Sequence, residues 1–186
     1  MSRAIIAILS ICLLVELNSC RENQKSKQEE YIDVAAYLRG QLKYLDSVPH
    51  GYLKLTTADT LQPDSVYLTL QQVKDLVLGF IAPELEKDKF RERFEETSFA
   101  DATLQTITIT YRSVSPKNAV ERIDVYVNPE NGSIHRLYLV QAVSSNEHTA
   151  KRQLLWTHNQ GFTIITTHSR GGQQTGSSLT EQVIWQ

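Results

Sequence analysis

The sequence predicts an α+β fold, in which helices cover one face of an antiparallel sheet of about five or six strands. In the first half of the chain, apolar residues recur at steps of three and four, which is the spacing of one face of a helix. After Phe99 they recur at every second position, which is typical of strands with one buried face. We therefore expect a strand meander in the C-terminal half, with the helices of the N-terminal half packed against it.

The first predicted helix covers residues 31–45, and Pro49 and Gly51 follow it and end it. YLKLT and SVYL are then predicted as two short strands. The apolar stripe of the helix consists of Tyr31, Val34, Ala35, Leu38, Leu42 and Leu45.

A second predicted helix begins at Thr69, because Thr69 and Gln72 have the spacing of a capping box. A third helical segment, residues 86–96, places Phe90 and Phe94 one helical turn apart. Both rings are therefore expected to face the sheet.

The C-terminal half alternates between strands and turns. NPENG has the proline and glycine of a tight hairpin turn, and RGGQQTGSS is predicted to be a loop. The predicted strands are TLQTITITY, ERIDVYV, SIHRLYLV, QLLWTH, FTIITTH and TEQVIW.

The N-terminus has the features of a secretory signal. Arg3 provides a positive start, and residues 4–15 form an apolar run of about twelve residues, below the roughly 20 that span a bilayer. Glu16 closes the run, and the small residue Ser19 stands before Cys20. A positive start, a short apolar run and a small residue before a cleavage point are typical of a secretory signal peptide.

Leu17-Asn18-Ser19-Cys20 resembles the lipobox of bacterial lipoproteins, although Asn18 departs from the residues common at its position. The resemblance implies that the Cys20 thiol receives a diacylglyceryl group and that the chain is cleaved before Cys20. The new amino group would then be acylated, for example with palmitate. An uncleaved anchor, or an ordinary signal with a chance cysteine, is the alternative.

The resemblance divides the chain into residues 1–19, a signal peptide, residues 20–30, a lipidated cysteine with a polar tether, and residues 31–186, a single α+β domain. Arg21 stands where an aspartate would resemble an inner-membrane retention signal, so we expect a lipid anchor in the cell envelope at the outer membrane. Two acyl chains or more give stable anchoring without a transmembrane helix.

Composition excludes several classes of function. The net charge of −2 offers no basic field for nucleic acid. Cys12 and Cys20 are the two cysteines, so residues 21–186 have no thiol for a disulfide, a metal or nucleophilic catalysis. Neither a G-x-S-x-G motif nor a phosphate-binding loop with its lysine occurs. No two of the histidines have the spacing of a helical zinc site; they are His50, His135, His148, His158 and His168.

We therefore expect no catalytic residue, no cofactor and no metal site. The carboxylates of the 86–96 segment are interpreted as a solvated helix face rather than a catalytic pair. Trp156 and Trp185 occupy alternating strand positions and are predicted to be core residues, with stacking on a sugar or base as the alternative.

One short pattern indicates a modification. Asp-Ser-Val occurs twice and Asp-Thr-Leu once between residues 46 and 66. These tripeptides resemble the Asp-Ser/Thr-apolar sites of periplasmic O-glycosylation in Bacteroidota, which would make Ser47, Thr60 and Ser65 acceptors. Asp-Ser and Asp-Thr are also ordinary turn starters, so both interpretations stay open.

Taken together, these observations predict a lipid-anchored cell-envelope protein with a non-catalytic binding domain. Its expected partners are the membrane, through the lipid, and an envelope protein, a glycan or a lipid. The alternative is a small envelope enzyme or lipid carrier with a pocket between sheet and helices. A filled core with a flat polar sheet face would favour the first, and a pocket with several convergent polar groups the second.

Overall fold

One antiparallel sheet of nine strands dominates the protein. The computed structural model describes residues 31–49, 51–58, 62–144, 149–170 and 173–185. The strands are β1 (Tyr52–Ala58), β2 (Asp64–Leu68), β3 (Phe94–Asp101), β4 (Thr106–Ser113), β5 (Val120–Val127), β6 (Ile134–Ser144), β7 (Thr149–Thr157), β8 (Gly161–Arg170) and β9 (Gln173–Trp185). Their order in the sheet is β2-β1-β9-β8-β7-β6-β5-β4-β3.

Helical structure in the described residues is limited to short segments. Asp33 caps the first helix by accepting a hydrogen bond from the Ala36 amide, and the predicted capping box of Thr69 and Gln72 is confirmed at the second. The helices are α1 (Val34–Ser47), α2 (Leu70–Leu78), a 3-10 helix (Pro83–Leu85) and α3 (Lys87–Arg93).

The predicted fold class, α+β with about five or six strands, is wrong. The protein is a largely β fold, because nine strands share one sheet and the described α-helices number three. The strands β1 and β2 of the first half belong to this sheet, since β1 pairs with β9 along its whole length. That pairing joins residues more than a hundred positions apart, and a local periodicity carries no information about it.

Two local predictions were also wrong. The segment 86–96 is helical only to Arg93, and β3 begins at Phe94 and pairs with β4. The loop predicted at residues 170–178 is shorter than expected, because β8 runs to Arg170 and β9 begins at Gln173. In both places the pairing of a neighbouring strand overrides the local preference of the sequence.

The helices lie against one face of the sheet, here named the helix-covered face. The Tyr52 hydroxyl donates a hydrogen bond of 3.3 Å to the Leu45 carbonyl of α1. The Phe90 ring of α3 meets the Tyr111 ring edge to face, with centroids 4.9 Å apart. Other buried strand residues of this face are Ile123, Val125, Leu137, Leu139, Leu154, Ile164 and Val183.

An aromatic cluster forms the centre of this buried face. Trp156 stacks on Phe162 at 5.6 Å and lies 5.4 Å from Trp185, and Tyr52 meets Trp185 edge to face. Trp156 is 0% and Trp185 8% exposed, so the prediction that both are core residues is confirmed. Such rings contribute large buried area and also favourable ring-to-ring geometry.

Gly161 is required by the backbone at the turn between β7 and β8. Its φ is +147°, and a Cβ atom there would lie 2.1 Å from the Val183 carbonyl oxygen. Gly40 in α1 differs, because a Cβ atom there would meet nothing within 4 Å.

We predict opposite effects when these two glycines are changed to alanine. Gly161→Ala should lower the free energy of unfolding by at least about 2 kcal/mol, since backbone strain adds to a steric clash. Gly40→Ala should raise it by about 0.5–1 kcal/mol, since glycine is a poor helix former. Urea denaturation followed by circular dichroism measures both, and equal effects would contradict the described turn.

A second prediction concerns the junction of α3 and β3. Phe94 is 6% exposed and stacks on Phe90 with centroids 4.7 Å apart. Phe94→Ala should therefore cost about 3–5 kcal/mol of stability, as is usual for a phenylalanine in a core. Lys89→Ala, at an exposed position of α3, should leave the urea midpoint nearly unchanged. Small effects of both variants would mean that this segment is not packed on the sheet.

Candidate functional site

The opposite face of the sheet, here named the open face, is covered by no helix among the described residues. Its side chains alternate with those of the helix-covered face, because successive residues of a strand point to opposite sides. Antiparallel sheets often have one solvated face. Here the two halves of that face differ in chemistry.

One half of the open face lies over β2, β1, β9, β8 and β7. In this half, three consecutive rows of residues paired across the strands contain no charged side chain, and these three rows are here named the uncharged half. Lys151, further along β7, marks its border. Tyr67 is 77% and Leu155 36% exposed, so these apolar groups are accessible to a partner. The uncharged half consists of Ser65, Tyr67, Leu53, Leu55, Thr57, Thr180, Gln182, Ile184, Gly161, Thr163, Ile165, Gln153, Leu155 and Thr157.

The half over β6, β5, β4 and β3 carries charge. Asp124 is 2% exposed and accepts hydrogen bonds from the Thr110 hydroxyl at 2.7 Å and from Arg122 Nε at 2.9 Å. Arg122 Nη2 also contacts the second oxygen of Asp124 at 2.9 Å, so the pair is bidentate. This hydrogen bonding to Asp124 raises the pKa of Arg122. Arg112 and Arg136 are exposed in the same half.

A small depression lies within the uncharged half. A space of about 100 Å³ lies beside Leu155, Gln182 and Ile184. Two of these three side chains are apolar, and the third is an amide with both a donor and an acceptor. The depression can hold a small group of a partner that is bound on the face.

A larger groove lies at the end of β2, where α1 ends and α2 begins. It has a volume of about 460 Å³, and the buried side chains Leu45 and Tyr52 form its floor. Its other lining residues are Asp46, Ser47, Val48, Pro49, Leu68, Thr69 and Leu70.

The polar groups of this groove are already engaged within the protein. Asp46 forms an ion pair with Lys74 of α2, and the Ser47 hydroxyl donates to the Tyr44 carbonyl at 2.7 Å. Thr69 belongs to the capping box. Six of the nine lining residues have apolar or aromatic side chains, and the exposed lining of the groove is polar and apolar in about equal parts.

The predicted modification sites have different surroundings. Ser47 is exposed as the last residue of α1, and Ser65 is exposed on β2 in the uncharged half. Thr60 and the predicted lipid-attachment residue Cys20 lie outside the described residues. O-glycosylation of Ser47, Thr60 and Ser65 stays a prediction.

The described residues offer few groups with the arrangement of a reactive site. No cluster of three or more histidine, cysteine, aspartate or glutamate side chains suited to a metal occurs in the part of the chain that the structure describes. His158 Nδ1 lies 3.1 Å from Gln41 Oε1, and His135 lies against Tyr126 with ring centroids 6.3 Å apart. His50 and His148 lie outside the described residues.

Three buried polar atoms have no hydrogen-bond partner among the described residues: Tyr37 Oη, Gln141 Oε1 and Trp156 Nε1. Burial raises the pKa of Tyr37 to about 12, so this phenol stays protonated near neutral pH. Arg152, the partner of Gln141 across the strands, lies over the Phe80 ring at 4.4 Å, and burial lowers its pKa. An arginine stays charged even so, and its stacking on Phe80 gives it a packing role.

Comparison with known proteins identifies no relative. No protein-family model matches the chain, and no curated protein or solved structure matches it. None of the helices in the described ranges is long and apolar enough to cross a membrane.

Sequence reasoning did not identify the uncharged half, although the alternation within its strands is visible in the sequence. The alternation in YLKLT and FTIITTH identifies two faces for each strand, but it does not tell which face the helices cover. The uncharged half becomes visible only when the pairing of β1 with β9 brings these segments together.

Proposed function

We propose that this protein is a lipid-anchored component of the bacterial cell envelope, and that the uncharged half of its open face binds a partner. The observation that supports binding is the difference between the two halves of that face. A face that is merely solvated carries charged side chains, as the half around Arg112 and Arg136 does. The uncharged half instead combines apolar side chains with threonine hydroxyls and glutamine amides, which suits contact with another molecule.

The packing of the core favours binding over the alternative of an enzyme or carrier with a central pocket. The aromatic cluster around Trp156 is buried on the helix-covered face, and the polar groups of the larger groove are paired. Catalysis by a positioned acid or base needs a group in reach of a substrate. We therefore propose a non-catalytic role.

The anchor is supported by the lipobox resemblance at residues 17–20. With acylation at Cys20, the eleven residues 20–30 span at most roughly 40 Å when fully extended. The domain would then stay close to the bilayer, where its local concentration for an envelope partner is high.

We predict that cells grown with labelled palmitate incorporate the label into the wild-type protein. Cys20→Ala should remove the label and release the protein from the membrane fraction, because no acyl chain remains to hold it. Ser19→Ala, which keeps a small residue before the cysteine, is the matched control and should be labelled normally. Unlabelled wild type, or a Cys20→Ala variant that stays equally membrane-bound, would refute the anchor.

The binding face is tested by photo-crosslinking in living cells. A benzoylphenylalanine residue is placed at Leu155, in the uncharged half, and at Arg112, in the charged half, in separate variants. We expect an adduct of higher mass at position 155 and none at position 112, because a partner seated on the uncharged half is within reach of the first only. Mass spectrometry of the tryptic digest of the adduct separates a protein partner, which yields foreign peptides, from a glycan or lipid, which yields none. Equal adducts at both positions, or none at 155, would contradict the proposed face.

A further inference from the structure

The strand β2 has an open edge. It comprises five residues, Asp64–Leu68, and among the described strands it pairs with β1 alone. Val66 is 47% and Tyr67 77% exposed, so neither side of the strand is shielded. An edge of this kind presents backbone N–H and C=O groups that a further strand can pair with.

The opposite edge of the sheet, β3, carries charged side chains, which natural proteins use to prevent the addition of another strand. Glu95 and Glu96 place one carboxylate on each side of it, and Asp101 ends it. Charged side chains on an edge disfavour pairing with another strand. β2 has a single carboxylate, Asp64, at its start, and no charge at its centre.

The larger groove, of about 460 Å³, continues from the end of this edge, and several of its lining side chains are apolar. Leu68 belongs to both, since it is the last residue of β2 and lines the groove. Leu70 of α2 and Val48 extend the apolar wall. A strand added to β2 would therefore place a side chain at its end next to the groove. The volume of the groove lies in the range of ordinary ligand sites, about 300–1,000 Å³.

Charge complementarity indicates the composition of the occupant. The Asp64 carboxylate accepts a hydrogen bond from the neighbouring Ser65 amide and forms no ion pair with any described residue. A lysine or arginine near one end of an added strand would compensate it. Apolar residues would suit the other end, where the groove lies.

We propose that β2 accepts an extended segment of a partner protein as an added strand. A basic residue of the segment pairs with Asp64, and an apolar side chain occupies the groove. This mode of recognition uses main-chain hydrogen bonds for affinity and a side-chain site for selectivity.

Two other occupants fit less well. The predicted tether, residues 21–30, contains no apolar residue that could fill the groove. A second copy paired through β2 would leave Asp64 of each copy without a cation, because β2 itself contains no basic residue.

This inference rests on the binding role proposed above, but not on the lipid anchor. Tyr67 joins the two surfaces, since it belongs both to β2 and to the uncharged half. If a crosslinked adduct forms at position 155 but no peptide binds the β2 edge, only the proposal of strand addition is overturned. If no adduct forms at position 155, the result counts against the uncharged half as a binding face.

A library of random ten-residue peptides displayed on phage tests the edge. It is selected on the full-length protein in detergent micelles, and the enriched peptides are synthesised and their Kd values measured by fluorescence anisotropy. We expect enrichment of peptides with one basic residue and an apolar residue towards the other end. Val66→Lys should weaken their binding about tenfold or more, because a lysine on an edge blocks strand addition.

Thr97→Lys is the matched control, since it introduces the same charge at an exposed position of β3 and should leave Kd unchanged. Leu70→Ser should weaken binding several-fold, because it removes an apolar side chain from the wall of the groove. Peptides methylated at alternate backbone nitrogens should not bind, because they cannot donate the main-chain hydrogen bonds of an added strand. Peptides that bind the Val66→Lys variant as well as wild type, or the absence of any enriched peptide, would overturn the proposal. So would a wild-type dimer in sedimentation that Val66→Lys dissociates, because a second copy would then occupy the edge.

Discussion

Burial of one face of a nine-stranded antiparallel sheet by short helices is the constraint on which the rest of the structure depends. Each strand position belongs to one face, so the aromatic residues that hold the helices fix which side chains remain for the other side. Trp156 is buried against Phe162 and Trp185, and its neighbour Leu155 consequently points outward. The candidate binding surface thus consists of strand residues whose side chains point away from the core.

The same constraint accounts for the polar network on the open face. Asp124 alternates with the buried Ile123 and Val125, yet it is itself 2% exposed. A carboxylate so placed is costly without compensation, and the bidentate contact with Arg122 supplies it. The Asp124 carboxylate is therefore satisfied within the protein by Arg122 and Thr110, and it is not available to a partner.

Local features were predictable from the sequence and long-range pairing was not. The capping box of Thr69 and Gln72 and the hairpin turn at residues 128–132 are set by neighbouring residues, and both are confirmed. The segment after Arg93 is rich in glutamate, a good helix former, but it becomes β3 because β4 offers a complete ladder of partners. No residue near β1 indicates that β9 is its partner, and so the extent of the sheet and the uncharged half could not be predicted.

The pairing of β1 with β9 also sets the order in which the molecule can be completed. The ion pair of Lys54 with Glu181, at 2.9 Å, joins residues 127 positions apart, and β9 is synthesised after all the other described strands. The hairpin of β1 and β2 therefore emerges early and has no place in the sheet until β9 has formed between β1 and β8. Contacts of such sequence separation form slowly, because the intervening chain must first be ordered. During folding, the hairpin with the unprotected edge is thus the last part of the sheet to be secured, and a chaperone that shields exposed strands would have most to protect there.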